Sequence, residues 1–326
     1  MLYQNYVDLH LHLDGSVSPT MARSLAKLGG PSLDEVSDAE LFDMLTADDG
    51  TRDLNLYLSK FNLPLALLQT PEQLEECAYL LQEDLRARGL LYAELRFAPQ
   101  HHGERGMSQR EAVEAVLRGL RRSDFEAGLI LCAMRGHGNE QANRETFALA
   151  AEYRDAGVVA VDLAGAEALY PTSDFAELFA YARELGLPFT IHAGEAAGPE
   201  SVRAALDFGA ARIGHGIAAA QDPQLLADLA ERGVTLELCP TSEVQTGAVE
   251  TLRAFPLRSL MESDVSLTVN ADNMSVSCTD ACREFLLLTC IYNLNEYEAG
   301  SLLLNAVDAS FADEETKAHL RKRILS

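Results

Sequence analysis

The chain has 326 residues, of which 48% are hydrophobic, so it can bury a large core and is expected to be globular. Its 50 acidic and 26 basic residues give a net charge of −24, which argues against nucleic acid or an anionic membrane surface as a partner. The first residues show no secretory signal, and no apolar run approaches the roughly 18 residues needed to cross a bilayer. We therefore expect a cytoplasmic protein that acts on a small molecule.

Short segments with strand character alternate with longer amphipathic segments along the whole chain, which is typical of βα units and a parallel sheet. Eight strands are predicted, at Tyr6–Leu13, Leu90–Phe97, Leu129–Met134, Val158–Leu163, Pro188–His192, Ala211–Gly214, Val234–Leu238 and Ser266–Asn270. Eight parallel strands with intervening helices predict an α/β protein with a (β/α)8 TIM barrel. We interpret residues 1–326 as one barrel domain, and two packed α/β domains are the alternative.

The extra length lies mainly between strands 1 and 2. Pro71–Arg88 has apolar residues at helical spacing and is predicted to be a helix, but Ser16 to Arg88 is too long for one crossover helix. We expect a helical insertion here that covers the barrel mouth, with short helices in Asp34–Asp49. Pro64 is predicted to end or bend a helix, because it lacks an N–H and disfavours helical backbone at Leu63.

The six cysteines are scattered along the chain, and several lie in apolar runs, where a free thiol acts as a small hydrophobic group. This pattern argues against a disulfide framework. Cys278 and Cys282 could share a helical face, but no other Cys/His cluster adjoins them, so buried thiols are favoured over a metal pair.

Polar residues follow several predicted strands at their C-terminal ends, where barrel active sites are assembled. His10 and His12 point to the same side of strand 1, because side chains alternate along a strand. His192 ends strand 5, His215 ends strand 6, and Asp272 follows strand 8. Imidazoles with one carboxylate suit Zn²⁺ and leave room for a water molecule, whose pKa the metal would lower to about 7.

Other groups near these ligands suggest acid and base roles. Glu195 lies three residues after His192 in a glycine-containing turn, so its carboxyl group could face the cavity and protonate a ring nitrogen. His215 is flanked by two glycines and could orient the water or take its proton. Asp272 could bind the metal and accept a hydrogen bond from the water as well. Each of these residues alone could have a purely structural role. Their combination predicts an active site.

At this point the chain resembles the adenosine deaminase family of the amidohydrolase superfamily. The resemblance covers residues 6 to 290 and rests on motifs that occur in the family's order: Asp8-Leu9-His10-Leu11-His12-Leu13-Asp14-Gly15-Ser16, Tyr92-Ala93-Glu94-Leu95-Arg96-Phe97-Ala98-Pro99-Gln100, His192-Ala193-Gly194-Glu195, Arg212-Ile213-Gly214-His215-Gly216 and Cys239-Pro240-Thr241-Ser242. It implies a zinc-dependent purine-salvage enzyme that converts adenosine, and 2′-deoxyadenosine, to inosine and ammonia.

The resemblance also implies roles for individual residues. One Zn²⁺ per chain would be held by His10, His12, His192 and Asp272. Glu195 would donate a proton to purine N1, and His215 would position the attacking oxygen at C6.

Substrate contacts follow from the same resemblance. Asp14 would contact a ribose hydroxyl, and the Gly165 backbone N–H would reach purine N3. His12 would also border the substrate.

Three positions depart from the family pattern. Asn273 stands where a second aspartate is usual, and its amide can donate to purine N7 without needing a proton. Ala271 replaces a usual threonine. Glu243 replaces a usual asparagine, and we expect it to add a charge near the mouth and to bear on which nucleoside is bound. No role is carried over to His137.

Two alternatives are kept, and a third is excluded. Within the same fold, an adenine or aminodeoxyfutalosine deaminase would retain the metal ligands and the acid, but Asp14 favours a ribosylated substrate. A non-catalytic binding protein would have lost ligands or the acid, and none is lost here. The other class of zinc deaminase uses H-x-E followed by P-C-x-x-C, and this chain has no C-x-x-C.

Overall fold

Eight parallel strands form the centre of the computed structural model, which describes residues 5–48, 50–52 and 54–326. The strands are β1 Tyr6–His12, β2 Leu90–Phe97, β3 Glu126–Met134, β4 Val158–Ala164, β5 Thr190–Ala193, β6 Arg212–His215, β7 Thr235–Leu238 and β8 Ser266–Val269. They pair in chain order as two four-stranded sheets, β1–β4 and β5–β8. All six strand pairings are parallel.

Backbone hydrogen bonds join the two sheets at both edges. On one side, Val161 N donates to Pro188 O at 3.2 Å and links β4 to the residues before β5. On the other, His12 N donates to Asp272 O at 2.8 Å and Asp272 N donates to His10 O at 2.9 Å. The sheets therefore close into the predicted (β/α)8 barrel, and the closing bonds of β1 involve the residues predicted to bind metal.

The strands occur where they are predicted, but some bounds differ. β3 begins at Glu126 rather than Leu129. β5 begins at Thr190 rather than Pro188, because proline has no N–H to donate to a strand ladder. The six cysteines are free, as predicted, but Cys278 is exposed and Cys282 only partly buried, so the prediction of buried thiols is wrong for these two residues.

Helices surround the barrel. Within the described residues the α-helices are α1 Pro19–Ala26, α2 Asp38–Leu45, α3 Leu54–Ser59, α4 Asn62–Ala66, α5 Pro71–Ala87, α6 Gln109–Leu120, α7 Glu140–Glu152, α8 Ala176–Glu184, α9 Pro199–Phe208, α10 Pro223–Arg232, α11 Pro240–Gln245, α12 Leu257–Met261, α13 Ala281–Tyr292, α14 Glu296–Ala309 and α15 Glu314–Ile324. None of these combines the length and apolar character that crossing a bilayer requires.

Helix α5 forms because its first residues suit a helix start. Thr70 accepts a hydrogen bond from Gln73 N through its side chain, and Pro71 occupies the first turn, where its missing N–H costs nothing. Leu74 and Leu81 lie on the buried face of the helix, at the spacing that predicted it.

Between β1 and β2 lie helices α1 to α5. The predicted break near Pro64 is displaced: α3 ends at Ser59, and Leu63 and Pro64 are both helical within α4. Pro64 is the third residue of α4, in the first turn, where backbone N–H groups have no acceptor within the helix. The prediction of non-helical backbone at Leu63 is therefore wrong. The segment Asp34–Asp49, predicted to contain short helices, contains α2. Its last residue, Asp49, lies outside the described residues.

Candidate active site

A cavity of about 280 Å³ opens at the C-terminal ends of the strands, a volume near the lower end of the range for small-molecule sites. The insertion supplies part of its wall through α3 and α4. Every predicted site residue except His10 lines the cavity, namely His12, Asp14, Gly165, His192, Glu195, His215, Asp272 and Asn273. His10 is fully buried beside it. The fold thus brings predicted site residues from five segments of the chain to one place.

Four side-chain atoms converge at the bottom of this cavity. His192 Nε2 lies 3.0 Å from His10 Nε2 and 3.1 Å from His12 Nε2. Asp272 Oδ1 lies 3.5 Å from His10 Nε2 and 3.4 Å from His12 Nε2. Bonds of about 2.0–2.1 Å to a tetrahedral zinc ion place ligand atoms about 3.3 Å apart, so the spacing suits zinc.

Neighbouring carboxylates determine where the imidazole protons lie. His10 Nδ1 is 2.7 Å from Glu237 Oε2, and His192 Nδ1 is 2.9 Å from Asp162 Oδ2. Because a carboxylate only accepts, each Nδ1 carries a proton and each neutral ring keeps its lone pair at Nε2. Asp272 Oδ1 is buried and has no hydrogen-bond partner among the described residues. The Nε2 lone pairs of the histidines thus face each other beside the unpaired Asp272 Oδ1. This arrangement fits a bound cation.

Electrostatics support the same protonation states. Burial lowers the pKa of both His12 and His192, which keeps these rings neutral and able to bind a metal. Burial raises the pKa of Asp272, but the surrounding histidines outweigh it and hold that pKa far below its usual range.

Two buried arginines hold the carboxylates under the site. Arg96 Nη1 donates to Asp162 Oδ2 at 2.8 Å and Arg96 Nη2 donates to Glu237 Oε2 at 2.9 Å. Arg212 Nε donates to Glu237 Oε1 and Arg212 Nη2 donates to Glu94 Oε2, both at 2.5 Å. All five side chains are buried, so each charge depends on its partner. The network orients the carboxylates that in turn orient the histidines.

We expect Arg96→Met to lower the free energy of unfolding by about 3–5 kcal/mol, because it leaves buried carboxylates without their countercharge. Arg110→Met is the matched control: Arg110 pairs with Glu152 at the surface, where such a pair contributes little to stability. Urea unfolding of both variants and the unsubstituted chain checks this. Equal losses in the two variants would contradict it.

The loop that carries Glu195 is held by Glu167, a residue that sequence analysis missed. Its carboxylate accepts hydrogen bonds from the backbone N–H groups of Gly194 at 2.6 Å, Glu195 at 3.1 Å and Ala196 at 2.7 Å. Burial raises the pKa of Glu167, but the Ser201 hydroxyl and these N–H groups lower it overall, so it is charged. The anchored loop directs the Glu195 side chain into the cavity.

Burial raises the pKa of Glu195, and the charges of Asp272 and Glu167 add to this effect while His215 opposes it. The side chain of Glu195 is 20% exposed and its Oε2 lies 3.6 Å from His215 Nε2. A carboxyl group with a raised pKa at the cavity wall is suited to carry a proton to a ligand.

Two site residues adopt left-handed backbone. His215 has φ of 62° and Asp272 has φ of 60°, a region that residues other than glycine rarely occupy. His215 is the last residue of β6, and Asp272 lies three residues after the end of β8. The left-handed backbone at these two positions helps to direct their side chains into the cavity.

The structure corrects the expectation for Glu243. This residue is not at the mouth: it lies in α11, is fully buried, and does not line the cavity. Its Oε1 is 3.2 Å from His215 Nδ1. Burial lowers the pKa of His215, but Glu195, Glu243 and Asp272 together raise it to about 10. A divalent cation beside the ring would counter this rise.

Asn273 lies at the cavity wall, against the backbone of Gly15. Its Nδ2 donates to the Tyr57 hydroxyl at 2.9 Å, and that hydroxyl also lies 2.9 Å from Ser277 Oγ. A Cβ atom at Gly15 would lie 1.9 Å from Asn273 Oδ1, so only glycine fits there. One amide N–H of Asn273 is therefore engaged by α3, and the second is free to meet a ligand.

Several residues that shape the site carry weak signals in the sequence. Asp162 and Glu237 are acids within otherwise apolar strands, which indicates buried charges that need partners. Arg96 is likewise a charged residue within a predicted strand. Nothing in the sequence marks Glu167 or Tyr57 as part of a site, because an acid after a strand and a tyrosine in a helix are common on protein surfaces.

Known proteins resemble the chain over nearly its whole length. A family model described as adenosine deaminase matches residues 6–326. An adenosine deaminase of Haemophilus ducreyi is 48% identical over 329 residues, which cover 97% of this chain and 96% of that relative. The structure of an adenine deaminase from Arthrobacter aurescens has a TM-score of 0.89 at 28% identity and covers 99% of this chain and 98% of that one. An N6-methyl-AMP deaminase of Arabidopsis thaliana has a TM-score of 0.85 at 28% identity, covering 99% and 96%. The chain therefore belongs to the adenosine deaminase family.

Proposed function

We propose that the protein is a zinc-dependent hydrolase that deaminates adenosine, and 2′-deoxyadenosine, to inosine or deoxyinosine and ammonia. The observation that carries this proposal is the convergence of four metal-ligand atoms with Glu195 and His215 in one cavity. Relatives named adenosine deaminase support the choice of substrate.

One zinc ion per chain would be held by His10, His12, His192 and Asp272. When bound, zinc supplies water activation near neutral pH by lowering the pKa of a water molecule. Asp272 would hold the ion with its unpartnered Oδ1, which would leave its other oxygen to accept a hydrogen bond from the attacking water. These assignments match the spacing and protonation of the four side chains.

The reaction needs a base for water and an acid for the purine. As water attacks C6, one of its O–H bonds breaks, the proton passes to His215 Nε2 and a C6–O bond forms. Glu195 gives its proton to N1, so negative charge does not build up on the ring. The C6–N bond then breaks as the amine takes the proton held by His215 and leaves as ammonia. The C6 hydroxyl gives its proton back to Glu195, and the purine becomes a 6-oxopurine.

The remaining residues hold the nucleoside. Asp14 accepts a hydrogen bond from a ribose hydroxyl, with His12 beside it. The Gly165 backbone N–H meets N3, and the free amide N–H of Asn273 meets N7. Helices α3 and α4 cover the ligand and exclude water, which strengthens each charge interaction.

The cavity wall favours a nucleoside over a nucleotide. Among the described residues that line it, none is a lysine or arginine, whereas four are acids, Asp14, Glu167, Glu195 and Asp272. Burial also lowers the pKa of His101, which removes another source of positive charge. A phosphate on the ribose would meet carboxylates without a countercharge, so we expect AMP to be a poor substrate.

Ammonia release from adenosine, 2′-deoxyadenosine, adenine, aminodeoxyfutalosine and AMP tests the proposal. We expect the two nucleosides to have the highest kcat/KM. Faster release from adenine or aminodeoxyfutalosine would replace the proposed substrate, and no release from any of the five would contradict deamination itself.

Asp14→Asn should lower kcat/KM for adenosine about 10-fold, since a charge-assisted hydrogen bond to the ribose becomes a neutral one. Adenine lacks the ribose, so its rate is expected to stay within about twofold. Asp38→Asn, at an exposed acid of the insertion, is the control and should match the unsubstituted enzyme. An equal loss for adenosine and adenine would mean that Asp14 does not contact the ribose.

A further inference from the structure

A buried carboxylate lies directly behind the imidazole of His215. Glu243, in α11, has an exposed fraction of 0%, and its Oε1 lies 3.2 Å from His215 Nδ1. On the other side of the ring, Nε2 faces the cavity and Glu195. We propose that Glu243 is a positioning residue that holds His215 with its Nδ1 proton inward and its Nε2 toward the attacking water. This inference rests on the proposed deamination.

The direction of the hydrogen bond follows from a second donor. The backbone N–H of Cys239 also donates to Glu243 Oε1, at 3.2 Å. A backbone N–H can only donate and an ionised carboxylate can only accept, so both bonds end on Glu243 Oε1 and the proton of the second bond belongs to His215 Nδ1. In the neutral ring the lone pair is therefore on Nε2. Neutral or charged, His215 keeps a proton on Nδ1 and cannot turn its lone pair inward.

The negative charge of Glu243 contributes beyond orientation. When His215 Nε2 takes a proton from the attacking water, the water O–H bond breaks, its electron pair forms the bond to C6, and the ring becomes a cation. The Nδ1 proton stays on the ring beside the Glu243 carboxylate. Burial raises the pKa of Glu243, but the hydrogen bond and charge of His215 and the Cys239 N–H oppose that rise and favour the ionised form. In a buried, low-dielectric setting a full charge stabilises that cation more than an amide oxygen would. An asparagine, which the family pattern has here, provides no such charge.

Glu243 is distinct from the other buried acid nearby. Glu284, in α13, accepts hydrogen bonds from Thr241 N at 3.0 Å and from the hydroxyls of Thr241 and Thr279. These bonds hold α11 to its surroundings and do not involve His215. Glu284 is therefore a matched control: a carboxylate of equal burial with a structural role.

The test compares Glu243→Gln with Glu284→Gln in the zinc-loaded enzyme. We expect Glu243→Gln to lower kcat for adenosine about 10- to 100-fold, with KM and zinc content within about twofold of the unsubstituted enzyme. Glu284→Gln is expected to keep kcat within about twofold, although its thermal stability falls. Equal kcat in the Glu243→Gln variant and the unsubstituted enzyme would overturn the proposal, as would a loss confined to KM or to zinc content.

A second measurement needs no variant at position 243. The ¹⁵N chemical shifts of the His215 ring, assigned by their absence in His215→Gln, report which nitrogen carries a proton. We expect a protonated Nδ1 in the unsubstituted protein, and a ring protonated on Nε2 alone would overturn the proposal. An enzyme without activity on adenosine would contradict the proposed function, whereas this spectrum would still report on Glu243.

Discussion

We expect Glu195→Gln to lower kcat for adenosine about 10³-fold while zinc content stays at the level of the unsubstituted enzyme. Glutamine has the size of glutamic acid but cannot give a proton to purine N1. The loop that positions residue 195 is held through backbone N–H groups by Glu167, so the substitution leaves the loop in place. Ammonia release and metal analysis on the same sample measure the two quantities.

The control is Glu200→Gln, which removes an exposed acid from the first turn of α9 and is expected to leave kcat unchanged. If Glu195→Gln kept kcat within about tenfold, the role of Glu195 as the acid would be contradicted, because general acids contribute about 10² to 10⁴ to rate. Loss of zinc in this variant would instead mean that Glu195 supports the metal.

Asp272→Asn is expected to reduce zinc content well below one ion per chain and kcat by at least about 10²-fold. The amide cannot supply the negative charge that Asp272, alone among the four ligands, offers to a divalent cation. The backbone bonds of Asp272 to β1 remain, so the barrel still closes. Addition of zinc should raise the thermal unfolding temperature of the unsubstituted enzyme after chelation, but not that of the variant.

Asp264→Asn is the matched control for this substitution. Asp264 has φ of 59°, close to that of Asp272, but it is exposed and precedes β8 instead of following it. Asparagine tolerates this left-handed backbone, so both variants are expected to fold. If the two variants bound zinc equally, Asp272 would not be a ligand.

The barrel could be predicted because its signals are local. Strands alternate with helices along the chain, and a histidine or aspartate at the end of a buried strand stands out against apolar neighbours. Parallel strands in a barrel bring their C-terminal ends together, so His10, His192 and Asp272 could be placed at one site before any contact was known.

The environment of Glu243 could not be predicted in this way. Its place behind His215 depends on how α11 packs at the end of β7, which involves contacts between segments far apart in the chain. The same holds for Tyr57, which reaches Asn273 across more than two hundred residues. The sequence shows that residue 243 is a glutamate where the family pattern has asparagine. Packing decides whether its charge faces solvent or His215, and packing could not be predicted.

The left-handed backbone at His215 and Asp272 lowers the folding stability of the barrel at two residues that the proposed reaction needs. Such a conformation costs roughly 1–3 kcal/mol at a residue other than glycine, and the chain bears this cost at two functional positions. Glycine would relieve it at either position and remove the functional side chain. A laboratory selection for heat resistance alone would therefore be expected to enrich glycine at residues 215 and 272, so any effort to stabilise this enzyme needs activity as a second criterion.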